Sequence, residues 1–279
     1  MRIIEAKTIT NTVKQMCIKA AHNLPSDILL AIKETCKKET GLAKHITSLM
    51  LKNAEIAKKE LYPICQDTGT AVLFVEIGNQ VFVKGDITKA ICTGVKQGYK
   101  KGYLRKSIVK DPLFKRQNTN DNTPPVIHYS FKEGNKIKIS LLLKGAGSEN
   151  KSVLKMFAPS ATLKDIKDFV ISAVKNAGAN ACPPFVIGIG IGGNFENSAK
   201  LSKKALLRKI GSANKNKEYN SLEKDLLKEI NKTKIGPQGL GGKISALGVF
   251  IEQEPCHTAS LPVAINISCH ASRHITEVL

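Results

Sequence analysis

The stretch CQDTGTAVLFVEI, residues 65–77, decides the fold because a polar loop runs directly into an apolar strand. The run 71–77 is largely apolar and β-branched, which is typical of a strand that enters a core. The preceding residues, 65–69, bring together a thiol, an amide, a carboxylate and a glycine. Loops that a rigid scaffold holds in place concentrate function. The junction therefore predicts a functional site at the end of a buried strand.

The residues before this stretch predict helices. Apolar residues such as Ile9, Val13 and Met16 recur at helical spacing. Pro25-Ser26 ends the first helix and caps the next. The helical part covers about residues 1–60, with helices over 8–24, 26–38 and 42–60.

The residues after it alternate between strands and helices. Two hairpins are predicted, one joining 71–77 to 80–83 through Gly78-Asn79 and one joining 126–131 to 136–143. Helices are predicted at 87–101, 162–177, 195–209 and 220–233, and further strands at 184–191, 244–251 and 262–268. Asp86 is a candidate cap, and Thr162 with Asp165 forms a candidate capping box. The fold class is mixed α/β (α+β): N-terminal helices, then a mixed sheet with flanking helices, in a single compact domain over residues 1–279.

Composition excludes several classes of protein. A hydrophobic content of 42% excludes a disordered chain. No apolar run approaches the roughly 20 residues that span a bilayer. The first ten residues, MRIIEAKTIT, have no apolar signal region, so we expect a cytoplasmic protein. Seven cysteines are an odd count, which favours metal ligation or burial over disulfides.

The formal net charge of +20 predicts attraction to anions, which include nucleic acids, acidic metabolites and an acidic partner subunit. Genome composition or life at high temperature would also account for the lysines. Nucleic acid is disfavoured, because aromatic residues make up only 5% and no helix-turn-helix, finger or RNP-like motif is present.

Three partial motifs give only weak evidence for a nucleotide, phosphate or zinc site. Gly188, Gly190 and Gly193 match G-x-G-x-x-G, but the acidic residue expected about 20 positions later is missing, so a tight turn is the alternative. The segment 144–152 lacks the glycine that a phosphate loop places before Lys-Ser, although its backbone could still bind an anion. Cys256-His257 and the Cys-His pair at 269–270 match no common zinc spacing.

Six ordered motifs resemble one known family. They are ICQDTGTA, Arg105 before DPL, KGAGSENKS, CPP before a glycine-rich turn, IGPQGLGGK, and H-TASLPVA-N-SC. Together they resemble the alpha-type half of the iron–sulfur hydro-lyases, which include class I fumarases and L(+)-tartrate dehydratases. The resemblance extends from about Tyr62 to Arg273.

The resemblance implies a 4Fe–4S cluster held by Cys65, Cys182 and Cys269, with one iron left open as a Lewis acid. Cys17, Cys36 and Cys92 are then interpreted as small buried residues. Cys256 is the nearest rival to Cys269.

The resemblance also implies the roles of the remaining site residues. Gln66 and Asp67 would contact substrate, and Asp67 would also support proton transfer. Arg105 would bind a substrate carboxylate through its fork of N–H donors. The other implied residues line the same pocket, and they are Gly147, Asn150, Lys151 and the active-site histidine His257.

By resemblance the chain is a hydro-lyase, the alpha subunit of a fumarate hydratase that interconverts fumarate and (S)-malate. The sequence stops at Leu279, without the C-terminal domain of single-chain fumarases. A separate beta subunit would then supply the threonine base in an α2β2 assembly. The alternative is the alpha subunit of an L(+)-tartrate dehydratase. A hypothesis from another class is a non-enzymatic basic protein that binds nucleic acid.

Overall fold

The computed structural model describes all 279 residues, and its mixture of helices and strands confirms the predicted fold class. The chain divides into two compact units. The first comprises residues 1–25, 53–146 and 273–279, and the second comprises residues 26–52 and 147–272. A single domain over 1–279 stays a prediction.

The chain forms ten strands and eight α-helices. In chain order they are β1 Arg2–Glu5, α1 Ala6–His22, α2 Ser26–Lys38, α3 Gly41–Glu60, β2 Thr70–Gly78, β3 Val81–Lys84, α4 Ile87–Lys101, β4 Val126–Lys132, β5 Ile137–Lys144, α5 Ala146–Glu149, β6 Val153–Phe157, α6 Leu163–Ala177, β7 Phe185–Gly193, α7 Phe195–Ala205, α8 Lys217–Lys232, β8 Ala246–Cys256, β9 Leu261–Ser268 and β10 Arg273–Val278.

The first unit contains a four-stranded sheet in the order β10-β5-β2-β4, covered by α1 and α4. Its strand β2 is buried along residues 71–75, as expected of a strand inside a sheet. A separate pair, β1 and β3, is parallel. The predicted three helices at the N-terminus are confirmed, and β1 before them was not predicted.

Both predicted hairpins are wrong, and the central position of β2 explains why. Its two edges are occupied by β4, which is parallel to it, and by β5, which is antiparallel. No edge of β2 is left for β3. Because β2 lies between β4 and β5, those two strands cannot pair with each other. The turns instead bind each other, since Gly78 N donates to Lys136 O at 2.9 Å. A Cβ at Gly78 would lie 2.3 Å from Gly134 O, so this close approach requires glycine.

The second unit contains a four-stranded sheet in the order β6-β9-β7-β8. One face of this sheet packs with α6 and α8 into an apolar core. On the other face, α7 lies against the glycines of β7. A Cβ at Gly190 would lie 2.0 Å from Ser198 O. The glycine pattern of β7 therefore allows a helix to approach a strand. Gly192 and Gly193, both with positive φ, are the last residues of β7 before α7.

We expect Gly190→Ala to destabilise the chain by about 3 kcal/mol, the upper part of the range for overpacking, because a backbone oxygen cannot rotate away from the new methyl group. The thermal unfolding midpoint, followed by circular dichroism, measures the effect. Ala199→Ser changes the exposed side of the same helix and should leave the midpoint nearly unchanged. Equal midpoints for the two variants would contradict the packing argument.

Local helix signals are confirmed where the sequence marks them. Asp86 accepts a hydrogen bond from Lys89 N and caps α4. Thr162 and Asp165 form the complete capping box of α6. None of the helices combines the length and apolarity needed to cross a lipid bilayer.

Candidate active site

In the first unit, the loop between α3 and β2 carries Cys65, Gln66 and Asp67. The half-buried Cys65 donates its thiol proton to Gln66 Oε1 across 3.7 Å. Gln66 is exposed. The loop thus presents a thiol and an amide side by side at the start of a buried strand.

Asp67 is held by contacts to both its carboxylate and its carbonyl. Gly69 N donates to Oδ1 at 3.1 Å, and Ala146 N donates to Oδ2 at 2.7 Å. Arg273 Nη1 donates to the main-chain carbonyl of Asp67 at 2.7 Å. These contacts fix the direction of the carboxylate, and the residue remains half-exposed.

Buried hydrogen bonds hold this loop in place. Tyr99 Oη donates to Gly69 O at 2.7 Å, and Asn122 Nδ2 donates to the same oxygen at 3.2 Å. Burial raises the pKa of Tyr99, so its hydroxyl keeps the proton that it donates. Thr68 Oγ1 donates to Arg105 O at 3.0 Å, which ties the loop to the segment after α4.

The Arg105 side chain is exposed and makes no hydrogen bond or ion pair, so its guanidinium is available to an anion.

In the second unit, residues 147–152 form a compact turn, in which Lys151 N donates to Ser148 O and Ser152 N donates to Glu149 O. Gly147 and Asn150 are exposed. Glu149 anchors the turn through an ion pair with Lys203 of α7 and a hydrogen bond from Asn266 of β9. The turn is therefore held on a rigid base while its glycine and amide face outward.

Cys182 and Cys269 lie on adjacent segments of the second unit. Cys182 is exposed and adopts a left-handed backbone with φ of 51°, after the 3-10 turn Gly178–Ala181. The residue after Cys269, His270, donates its backbone N–H to Cys182 O at 3.2 Å. This hydrogen bond brings the two cysteine-bearing segments together.

His257 lies on the exposed connection between β8 and β9. Its Nδ1 accepts from Ala259 N at 3.0 Å. With Nδ1 accepting, the proton of the neutral ring lies on Nε2. Nearby, the thiol of Cys256 donates to Ser260 O at 3.3 Å.

The seven cysteine thiols are not equally suited to bind iron. None forms a disulfide, and burial raises the pKa of Cys17 to about 12, which disfavours its thiolate form. Cys17 is the one buried cysteine, so the expected burial of Cys36 and Cys92 is not observed. The exposed cysteines are Cys182 and Cys256, and the half-buried ones are Cys36, Cys65, Cys92 and Cys269. Soft thiolates are the ligands that iron–sulfur clusters prefer. The structure gathers no three His, Cys, Asp or Glu side chains into a metal site, and this includes Cys65, Cys182 and Cys269.

Several supporting residues were not predicted from the sequence. Arg273 is 1% exposed, and Tyr99 is fully buried. Gln238 and Asn122 also contact the predicted loops. The available signals were weak: Arg273 follows Cys269 by four positions, and Gln238 stands in the conspicuous IGPQGLGGK segment.

Comparison with known proteins defines the class. A family model described as Fumarate hydratase (Fumerase) matches residues 10–278. A protein of Methanocaldococcus jannaschii named "Putative L(+)-tartrate dehydratase subunit alpha" is 44% identical over 273 residues, 95% of each chain. The L(+)-tartrate dehydratase subunit alpha of Escherichia coli K12 is 31% identical over 271 residues, covering 96% of this chain and 89% of its own.

The enzyme is a hydro-lyase. Specifically, the chain belongs to the fumarate hydratase (Fumerase) family. The predicted resemblance to the alpha-type hydro-lyases is thereby confirmed.

Proposed function

We propose that this chain is the alpha subunit of an iron–sulfur L(+)-tartrate dehydratase. The observation that carries the proposal is the 44% identity, over 95% of both chains, to a protein whose name gives that substrate. The names of the relatives favour tartrate, which the sequence alone ranked second to fumarate. Both substrates are dicarboxylates and undergo the same type of water elimination.

Cys65, Cys182 and Cys269 are the proposed ligands of a 4Fe–4S cluster. When bound, such a cluster supplies a Lewis acid that assists departure of a substrate hydroxyl. The chain contributes accessible thiols and, for Cys182 and Cys269, a backbone hydrogen bond that holds their segments together.

The dicarboxylate would be bound by donors that the structure leaves available. Arg105 has an unpaired, exposed guanidinium that suits a carboxylate. Gln66 offers an exposed amide beside Cys65. The turn carrying Gly147, Asn150 and Lys151 would add backbone and side-chain donors.

Dehydration removes a proton from one carbon and a hydroxyl from its neighbour, and tartrate then yields the enol of a keto acid. Asp67 is the proposed proton-transfer residue of this chain, because two backbone N–H groups fix its carboxylate while it remains half-exposed. His257 is exposed, and it is proposed to hold a substrate carboxylate through Nε2–H, since Nδ1 accepts from Ala259 N. Fixed donors and acceptors of this kind act through positioning and charge stabilisation.

The proposed partner is a beta subunit, in an α2β2 assembly. The supporting observation is that the relatives are named as alpha subunits. The partner would contribute the principal base, so we expect the chain alone to be nearly inactive. The net charge of +20 would favour an acidic surface on that partner.

The test measures water elimination from L(+)-tartrate and from (S)-malate without oxygen, by the reconstituted chain alone and by its complex with the beta subunit. We expect activity in the complex, with kcat/KM for tartrate at least about 100-fold higher, because a site that pairs the extra hydroxyl rejects a substrate without it. An excess for malate would establish the second candidate, fumarate hydratase, which the family description favours. Full activity of the chain alone would refute the two-subunit proposal.

A further inference from the structure

Gln238 has an unusual backbone in the second unit. It has a φ of 55°, a left-handed value that a non-glycine residue rarely adopts. Glycines flank it in the segment 236–242, yet the left-handed position itself is occupied by glutamine. Such a conformation persists only where surrounding contacts hold it.

The contacts of Gln238 connect the two proposed cluster ligands of this unit. Its backbone N donates to Pro183 O at 2.9 Å, directly after Cys182. Its side-chain amide Nε2 lies 3.2 Å from Nδ1 of His270, directly after Cys269. One residue thus contacts the successors of both cysteines, and His270 Nδ1 also lies 3.1 Å from Cys182 O.

The segment that carries Gln238 is itself fixed. Glu39 is 2% exposed, and its carboxylate accepts from Lys243 N at 2.8 Å and from Ile244 N at 2.7 Å. Gly241 N donates to Ile235 O at 2.9 Å and closes the loop around Gln238. The loop that carries Gln238 is therefore held in place by buried hydrogen bonds.

We propose that Gln238 is a positioning residue that holds the Cys182 and Cys269 segments in the arrangement that retains the cluster. This inference rests on the proposed function. Outer residues that orient metal ligands affect metal retention strongly. Substitutions near the surface usually change folding stability little. The amide of Gln238, rather than its volume, is the group that matters.

The experiment uses the full chain, reconstituted with iron and sulfide without oxygen. The variants are Gln238→Leu, which keeps the size of the side chain, and Gln238→Gly, which suits the left-handed backbone and removes the amide. Gln253→Leu is the matched control, since Gln253 is an exposed glutamine of β8. The readouts are the decay of the cluster absorption under an iron chelator and the melting temperature of the cluster-free chain.

We expect both Gln238 variants to lose the cluster roughly tenfold faster than the wild type. The control should match the wild type, and Gln238→Gly should melt at or near the wild-type temperature. Wild-type cluster lifetimes in the two variants would overturn the inference and leave the proposed function standing. A wild-type chain that takes up no cluster would overturn both. Faster loss that simply follows a lower melting temperature in both variants would assign Gln238 a folding role instead.

Discussion

The Cys182→Ala variant is expected to retain almost no iron or acid-labile sulfide after anaerobic reconstitution, whereas the wild-type chain should bind about four of each. Cys182 is exposed on a left-handed turn, and alanine preserves that backbone about as well as cysteine does. The change therefore removes a ligand with little effect on folding. Iron and sulfide content per chain, together with the cluster absorption spectrum, measures the result.

Cys256→Ala provides a matched control because Cys256, like Cys182, is exposed in the second unit and forms no disulfide. This variant should keep its full iron content. Equal retention of iron by both variants would remove Cys182 from the ligand set. Loss of iron only in Cys256→Ala would instead identify Cys256, the rival to Cys269, as a ligand.

The fold could be predicted where its causes are local. Helix caps at Asp86 and Thr162 lie next to the helices that they begin, and both are confirmed. The hairpins could not be predicted, because the pairing of β2 depends on which strands compete for its edges. The edge strands β6 and β10 have short, mixed patterns that do not stand out from loops.

In the candidate site, too, residues marked by local motifs could be predicted, whereas residues that act through distant contacts could not. Its outward-facing residues, such as Gln66 and Arg105, could be predicted from motifs, although their roles stay predictions. The supporting residues could not be, because their function arises from contacts across long stretches of chain. Arg273 bonds to the carbonyl of Asp67, a residue 206 positions earlier. Nothing in the local sequence of Arg273 indicates that contact.

Asp67→Asn is expected to lower kcat by 100-fold or more, since positioned proton transfer typically contributes about 10²–10⁴-fold. The amide has nearly the same shape as the carboxylate, but it cannot take up a proton at neutral pH. KM should change much less than kcat, because the proposed dicarboxylate contacts lie mainly on other residues. Steady-state kinetics on the complex with the beta subunit measures both constants.

The control for Asp67→Asn is Asp111→Asn. Asp111 is another carboxylate that accepts backbone N–H groups, from Leu113 at 2.9 Å and Phe114 at 3.1 Å, in a loop of the first unit. Its replacement disturbs a similar local turn at a residue with no proposed role in binding or proton transfer, so kcat should stay near the wild-type value. A rise in KM with kcat unchanged for Asp67→Asn would make Asp67 a binding residue. Equal losses of kcat in the two variants would show that the effect arises from loop geometry rather than from proton transfer. A selective loss in Asp67→Asn, with cluster content unchanged, separates the carboxylate's chemistry from the neighbouring thiol of Cys65.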